Sequence, residues 1–255
     1  MEAALIPNPI RKVLSIFQSC GVRALLMGGQ ACVFYGAAEF SRDTDFAIHP
    51  DPDNLSRLQS ALEALNASVI AVPPFSERYL NKGHAVHFRC GHPEALGMRV
   101  DVMSKMRGVS DFAMLWERRT TLQGPDGAIY ELMALADLVQ AKKTQRDKDW
   151  PMIRRLIEAD WAAHRAKPSR QQIKFWLREA RTPALIRSLI RDFPIEAAGI
   201  MAQARPLLTV AANADDDAIE MELNLEERRE RTLDRAYWGP LKSELEKMRH
   251  GVFDF

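Results

Sequence analysis

The chain is poor in cysteine: among 255 residues only Cys20, Cys32 and Cys90 occur, and no two of them form a C-x-x-C pair. Neither a disulfide framework nor a zinc finger is indicated, and a reducing, cytoplasmic setting is the simplest expectation. An excess of charge is lacking too. Lys and Arg number 35 against 34 Asp and Glu, a formal charge of +1, which argues against a generally polybasic binder and leaves room for a local basic groove. No apolar run approaches the ~18 residues of a membrane span, so no membrane partner is expected. The opening MEAALIPNPIRKV is interrupted by Pro7 and Pro9 before an apolar core develops, which argues against a signal peptide. Internal repeats and low-complexity segments are absent. What remains is the composition of an ordinary globular protein, 47% hydrophobic and 27% charged.

At roughly 100–200 residues per domain, one large or two small domains are expected. Residues 8–19 place Ile10, Val13, Leu14 and Phe17 on one helical face, opened by Asn8 and Pro9. Val22 to Met27 reads as a buried strand entering a tight turn at Gly28-Gly29, followed by a short helix over Gln30–Tyr35 closed by Gly36. Asp43–Ile48 sorts polar and apolar residues at period two, a strand pattern, and Asp53–Leu65 predicts an amphipathic helix capped by Asp53. Further strands are expected at Ser68–Val72, His84–Phe88 and Met98–Met103, with a hairpin over Arg118–Tyr130 around Gly124-Pro125-Asp126-Gly127. From Glu131 the pattern turns helical, over Glu131–Thr144, Trp150–His164, Arg170–Ala180, Pro183–Arg191 and part of Glu226–His250. Lys167-Pro168-Ser169 reads as a joint and Ala211–Asp217 as a mobile acidic loop. The expected fold class is α+β, with a sheet-bearing domain over residues 1–130 and a helical region over 131–255.

The chemistry concentrates in Ser41-Arg42-Asp43-Thr44-Asp45-Phe46-Ala47-Ile48. On a strand, Asp43 and Asp45 point one way while Thr44, Phe46 and Ile48 point the other. Two carboxylates held that close repel unless a cation lies between them or one takes a proton. A hard divalent cation is the natural partner, because Mg²⁺ takes carboxylate oxygens and completes its shell with water and phosphate. In Arg99-Val100-Asp101-Val102-Met103, a single Asp stands between valines, an unusual choice unless paired or bound to metal. If that strand lies beside Asp43–Ile48, three carboxylates converge, enough for two Mg²⁺ ions about 3.5–4 Å apart. The plainer alternative for Asp101 is a structural salt bridge with Arg99 or Arg42. Upstream, Gly28-Gly29 at a strand-to-helix junction lets a polyphosphate approach the backbone, although an ordinary turn uses the same dipeptide.

Taken together, Met27-Gly28-Gly29, Ser41-x-Asp43-x-Asp45-Phe46 and Val100-Asp101-Val102 resemble the fingerprint of the DNA polymerase β-like nucleotidyltransferase superfamily. Within it, Gly28-Gly29-Gln30-Ala31, Tyr35-Gly36 and the Ser before the D-x-D look most like the bacterial AbiEii-type and related uncharacterised nucleotidyltransferases. The resemblance covers residues 20–105 well and extends in part to about 160. It implies a nucleotidyltransferase-like mixed sheet flanked by helices, and Mg²⁺-dependent transfer of a nucleoside monophosphate from an NTP to an acceptor on RNA, protein or a small molecule. By the same resemblance Asp43 and Asp45 bind metal, Asp101 is the third ligand or the base, and Gly28, Gly29 and Ser41 meet the nucleotide. A toxin-like role with an antitoxin partner follows only by family analogy. One departure stands out: Gly29 occupies the place where many such transferases carry a phosphate-binding Ser. The competing expectation is a non-catalytic nucleotide- or partner-binding protein on the same fold.

A further match to these families lies in Lys143-Thr144-Gln145-Arg146-Asp147-Lys148-Asp149, where Lys143, Arg146 and Asp149 recur every third residue and are expected to share a helical face. Lys143 and Arg146 are candidates for neutralising triphosphate charge; a solvated face with i,i+3 pairs is the other reading. His84, His87 and His92 gather near Cys90 without zinc-ligand spacing.

Overall fold

The computed structural model describes residues 8–124, 127–201 and 204–251. They divide into two compact units. The first holds the described residues of Met1–Phe34, Ala38–Ala141 and Ala236–Phe255. Along the chain it runs α1 (Asn8–Ser19), β1 (Ala24–Met27), α2 (Gly28–Phe34), β2 (Asp43–Ile48), α3 (Pro52–Ala64), β3 (Ala67–Val69), α4 (Glu77–Lys82), β4 (Val86–Cys90), β5 (Arg99–Met103), α5 (Phe112–Glu117), β6 (Thr120–Gln123), β7 (Ile129–Leu132) and α6 (Leu135–Ala141). Its strands form one mixed sheet in the order β3-β4-β5-β2-β1-β7-β6. β2 lies parallel to β5 and β1 to β7, and the other neighbours are antiparallel. The expected α+β class is what the chain adopts.

Alternation sorts this sheet into a dry face and a polar one. Thr44, Phe46 and Ile48 of β2, Val100 and Val102 of β5, and Val86, Phe88 and Cys90 of β4 are all buried. The amphipathic stripe of α1 closes over this face, with Phe17 stacked on Phe46 at 4.4 Å between ring centroids. Each fully buried Val, Ile or Phe side chain contributes roughly 1.5–3 kcal/mol. Cys90 shares the burial, which pushes its thiol up to about 11 and makes it inert. The cap of α3 is Asp51, not Asp53 as the sequence suggested: its carboxylate accepts from Asn54 N at 3.0 Å, Pro52 takes the first helical position, and Asp53 joins the first turn. Asn54 is buried and satisfied, its amide donating to Arg23 O and His49 O and accepting from Arg23 N.

The second unit comprises Tyr35–Ala37 and Lys142–Arg235. It contains α7 (Asp149–His164), α8 (Arg170–Glu179), α9 (Pro183–Asp192), α10 (Pro194–Met201), α11 (Leu207–Asn213) and the first part of α12 (Asp216–Arg249), whose residues from Ala236 onward belong to the first unit. Ser169 opens α8 with a reciprocal capping box to Gln172. Trp176, fully buried, donates its indole N–H to Asp160 at 2.7 Å. Helices α8 to α11 pack on one another, and Leu185, Ile186 and Leu189 of α9 and Leu207 and Leu208 of α11 are buried.

Three expectations need correction. Residues 131–144 are not one helix, because Glu131 and Leu132 complete β7 and α6 ends at Ala141. Ala211–Asp217 is not a loop: α11 continues through Asn213, Ala211 is buried, and α12 begins at Asp216. The third strand covers Ala67–Val69 and stops short of Val72, although Ile70 N still bonds to His87 O. The hairpin is present as β6 and β7, while Pro125 and Asp126 of its turn, like residues 1–7 with Pro7, lie outside the described residues. Among the described residues, no helix is long and apolar enough to cross a membrane.

Candidate active site

The central strands decide the site. In the β2/β5 pairing Asp45 is registered with Asp101 and Asp43 with Arg99, and in the β5/β4 pairing Asp101 meets His87 and Arg99 meets Arg89. Because registered partners share a face, one row across the sheet reads Met27, Asp45, Asp101, His87, and the next reads Asp43, Arg99, Arg89. The three carboxylates therefore stand on the face opposite the core, each half-buried rather than sealed. Asp43 and Asp45 come from one strand by period two. Asp101 joins them only because β5 pairs with β2 in this register.

The glycines serve the carboxylates. Gly28 has φ +65°, a left-handed conformation that favours glycine, and a Cβ there would lie 1.8 Å from Asp45 Oδ2. A Cβ on Gly29 would lie 2.6 Å from the Ser41 hydroxyl. Ser41 in turn donates to Asp43 O at 3.0 Å. The space freed by the missing side chains is filled by Asp45 and Ser41, so Gly28-Gly29 acts first as the seat of the acidic strand. It also opens α2 directly, two residues earlier than the helix expected over Gln30–Tyr35. Gln30, the next residue, is fully buried, and neither amide atom has a hydrogen-bond partner among the described residues, an arrangement costing about 1–3 kcal/mol per unsatisfied group.

Asp101 is not free. Arg99 donates Nε–H to its Oδ1 at 2.8 Å, and His87 Nδ1 lies 2.9 Å from the same oxygen and 3.1 Å from Arg99 Nη2. Burial by itself raises a carboxyl pKa. His87 and then Arg99 outweigh it, and Asp101 titrates below the ordinary carboxylate range. The Arg99 guanidinium is pushed up by its bond to Asp101, against its own partial burial, with additional attraction from Asp43 and Asp45. The salt bridge weighed from the sequence is thus present, and the three acidic residues still share one face.

No protein-family model and no curated protein matches the chain. The chemistry has to be read from these residues. Asp43 and Asp45 offer the hard oxygen donors that a divalent cation of the Mg²⁺ type requires, and they fit it in kind. Asp101 as arranged does not complete the set, since its oxygen is committed to Arg99 and His87. Accordingly, among the described residues, no group of three or more His, Cys, Asp or Glu is positioned to hold an ion.

Lys143 and Arg146, the cations expected at the triphosphate, belong to the second unit and are committed there. Lys143 donates to Glu179 at 2.8 Å and Arg146 to Asp149 at 2.7 Å. The shared helical face does not exist: residues 142–148 connect α6 to α7, and Asp149 is the first residue of α7. Thr144 explains the break. Its hydroxyl donates to Asp149 and accepts from Arg146 N, a local alternative to helical hydrogen bonding. A cavity of about 620 Å³ in the second unit is lined by Arg154, Pro183, Asp217, Glu220, Met221 and Arg228 among others, and contains none of the predicted site residues.

The histidines disperse as their chain positions dictate. His84 pairs with Glu244 at 2.9 Å, His92 accepts from Glu94 N, and only His87 reaches the acidic row. His87 was missed as a member of the site, and Arg99 was foreseen only as a salt-bridge partner of Asp101. The signal was present as alternation in Val86–Cys90 and Arg99–Met103, but it becomes informative only once the register of β4 on β5 is known.

Proposed function

We propose that the chain is a nucleotidyltransferase that moves a nucleoside monophosphate from an NTP to an acceptor hydroxyl or amine. The observation that carries this reading is the registration of Asp45 with Asp101 across parallel strands, beside a Gly-Gly junction that seats Asp45. Asp43 and Asp45 would hold Mg²⁺. Bound there, the ion supplies charge neutralisation at the phosphates. The acceptor oxygen or nitrogen forms its bond to the α-phosphorus as the bond to the β-phosphate oxygen breaks; the acceptor's proton passes to solvent water, and pyrophosphate leaves. Asp101 is held ionised by His87 and Arg99, so it is a weak base. Its part is to accept a hydrogen bond from the acceptor group and orient it. Ser41 and the backbone of Gly28-Gly29 keep both strand carboxylates in place.

RNA, protein and small molecules all remain in the acceptor class, and the resemblance to AbiEii-type proteins supports a toxin-like role in a cytoplasmic toxin–antitoxin pair. Incubating the chain with each labelled NTP, Mg²⁺ and either total RNA or cell extract tests the activity. Label is expected in a macromolecule or small acceptor and absent with Asp43→Ala/Asp45→Ala. Equal labelling by both proteins contradicts the assignment.

One observation favours a second reading, a non-catalytic nucleotide- or partner-binding protein on the same fold. Asp101 is already neutralised by Arg99. Nucleotide binding without transfer to any acceptor supports that alternative.

A further inference from the structure

Within the second unit, one face of α12 carries an ordered pattern of charge. Asp217, Glu220, Met221, Asn224, Leu225 and Arg228 all line the cavity of about 620 Å³. Their spacings of three and four keep them in one stripe, because successive residues turn by about 100° around a helix. Met221 and Leu225 stand at its middle, 62% and 46% exposed. Asp217 and Glu220 lie N-terminal to them and Arg228 C-terminal, all three exposed. The other charges at the cavity are paired, Arg154 with Glu158 and Asp216 with Arg187. Among the described residues, Asp217, Glu220 and Arg228 form no ion pair. The helix dipole favours Asp217 in the first turn, whereas Arg228 stands in the interior of the 34-residue α12 and gains nothing from either end.

Along the stripe the order is acidic, apolar, basic. Turned end for end it reads basic, apolar, acidic, so the stripe is complementary to itself. A twofold axis crossing α12 between Glu222 and Leu223 brings Asp217 of each copy to Arg228 of the other, and Met221 of each against Asn224 and Leu225 of the other. Asp217 and Arg228 are separated by ~16.5 Å along a helix. The separation is the same in both copies, so both charge contacts close at once. A uniformly acidic or uniformly basic partner satisfies one end of the stripe only; a second copy satisfies both.

We propose that this face of α12 is the interface of a symmetric homodimer, in which two copies pack antiparallel through Met221 and Leu225 and are held in register by Asp217 and Arg228. Such an interface is isologous, the same patch serving on both sides. The apolar pair supplies the desolvated centre, and the charges fix the register. The inference goes beyond nucleotide chemistry and does not depend on it.

Sedimentation equilibrium of the full chain at ~50 μM, within reach of micromolar affinities, tests the proposal. The wild type is expected to sediment at twice the chain mass. Asp217→Lys and Arg228→Glu each set like charges against one another at both contacts, and each is expected to raise the dimer Kd by at least ~100-fold. Mixed in equal amounts, the two variants form one heterodimer in which both contacts join opposite charges, and the dimer is expected to return. Misfolded variants do not produce that rescue. A monomeric wild type overturns the proposal. So does a wild-type dimer that both substitutions leave unchanged, and so does a mixture of the two variants that stays monomeric.

Discussion

Gly28 and Gly29 look interchangeable as a dipeptide and are not. Gly28 sits at φ +65° with the Asp45 carboxylate in its Cβ position, whereas a Cβ on Gly29 meets the Ser41 side chain, its rotatable hydroxyl at 2.6 Å and its Cβ at 3.2 Å. Gly28→Ala therefore costs about 1–2 kcal/mol for the left-handed backbone alone, and more as Asp45 is driven aside. Gly29→Ala is expected to cost about 1 kcal/mol, the order of the Ser41–Asp43 hydrogen bond it disturbs. Urea unfolding of the two variants checks the ranking, and equal losses contradict the assigned roles. Asp101 offers a second residue-level outcome. Its folded pKa is depressed, so the stability it contributes is present above the unfolded value of about 3.9 and is lost as pH falls through the lower folded value. Asp101→Asn is expected to flatten that acid limb. An unchanged limb places the carboxylate outside the His87–Arg99 network.

At the scale of elements, the second unit is organised by buried charge. Arg205, 4% exposed in its side chain, donates to Leu177 O and Ala180 O at the end of α8 and to both oxygens of Glu226 on α12. Glu226 is desolvated, yet Arg205 and then Arg181 and Lys143 hold its pKa down. Arg205→Ala strands two carbonyls and half of that neutralisation, and a loss of about 3–5 kcal/mol is expected in denaturant unfolding. A loss under 1 kcal/mol contradicts the capping role.

Much at this scale was legible. Apolar spacing placed α1, α7, α8 and α9 within a residue or so at each end, because an amphipathic face leaves a periodic record. The failures have physical causes. Asp215-Asp216-Asp217 reads as loop by composition, but carboxylates are favourable at a helix N-terminus, and α12 starts there. Lys143, Arg146 and Asp149 have helical spacing, yet Thr144 diverts their backbone. In the candidate site, period two put Asp43 and Asp45 on one face. Their joining with Asp101, Arg99 and His87 depended on strand order and register, which a single strand does not encode.

For the whole molecule, the acidic row and the two cations expected at the triphosphate fall in different compact units. The acidic row lies in the sheet-bearing unit. The Lys143 and Arg146 cations form ion pairs within the helical one. A near-neutral chain of this kind has no global field to draw in a polyanion, so the proposed function assigns nucleotide affinity to a local ion at Asp43 and Asp45. Isothermal titration of the full chain with each NTP, with and without Mg²⁺, asks this directly. The account predicts Mg²⁺-dependent binding that Asp43→Asn/Asp45→Asn weakens by more than ~100-fold, beyond the 10–100-fold typical of losing a supporting partner. Nucleotide binding that is the same in both proteins, or indifferent to Mg²⁺, would contradict it.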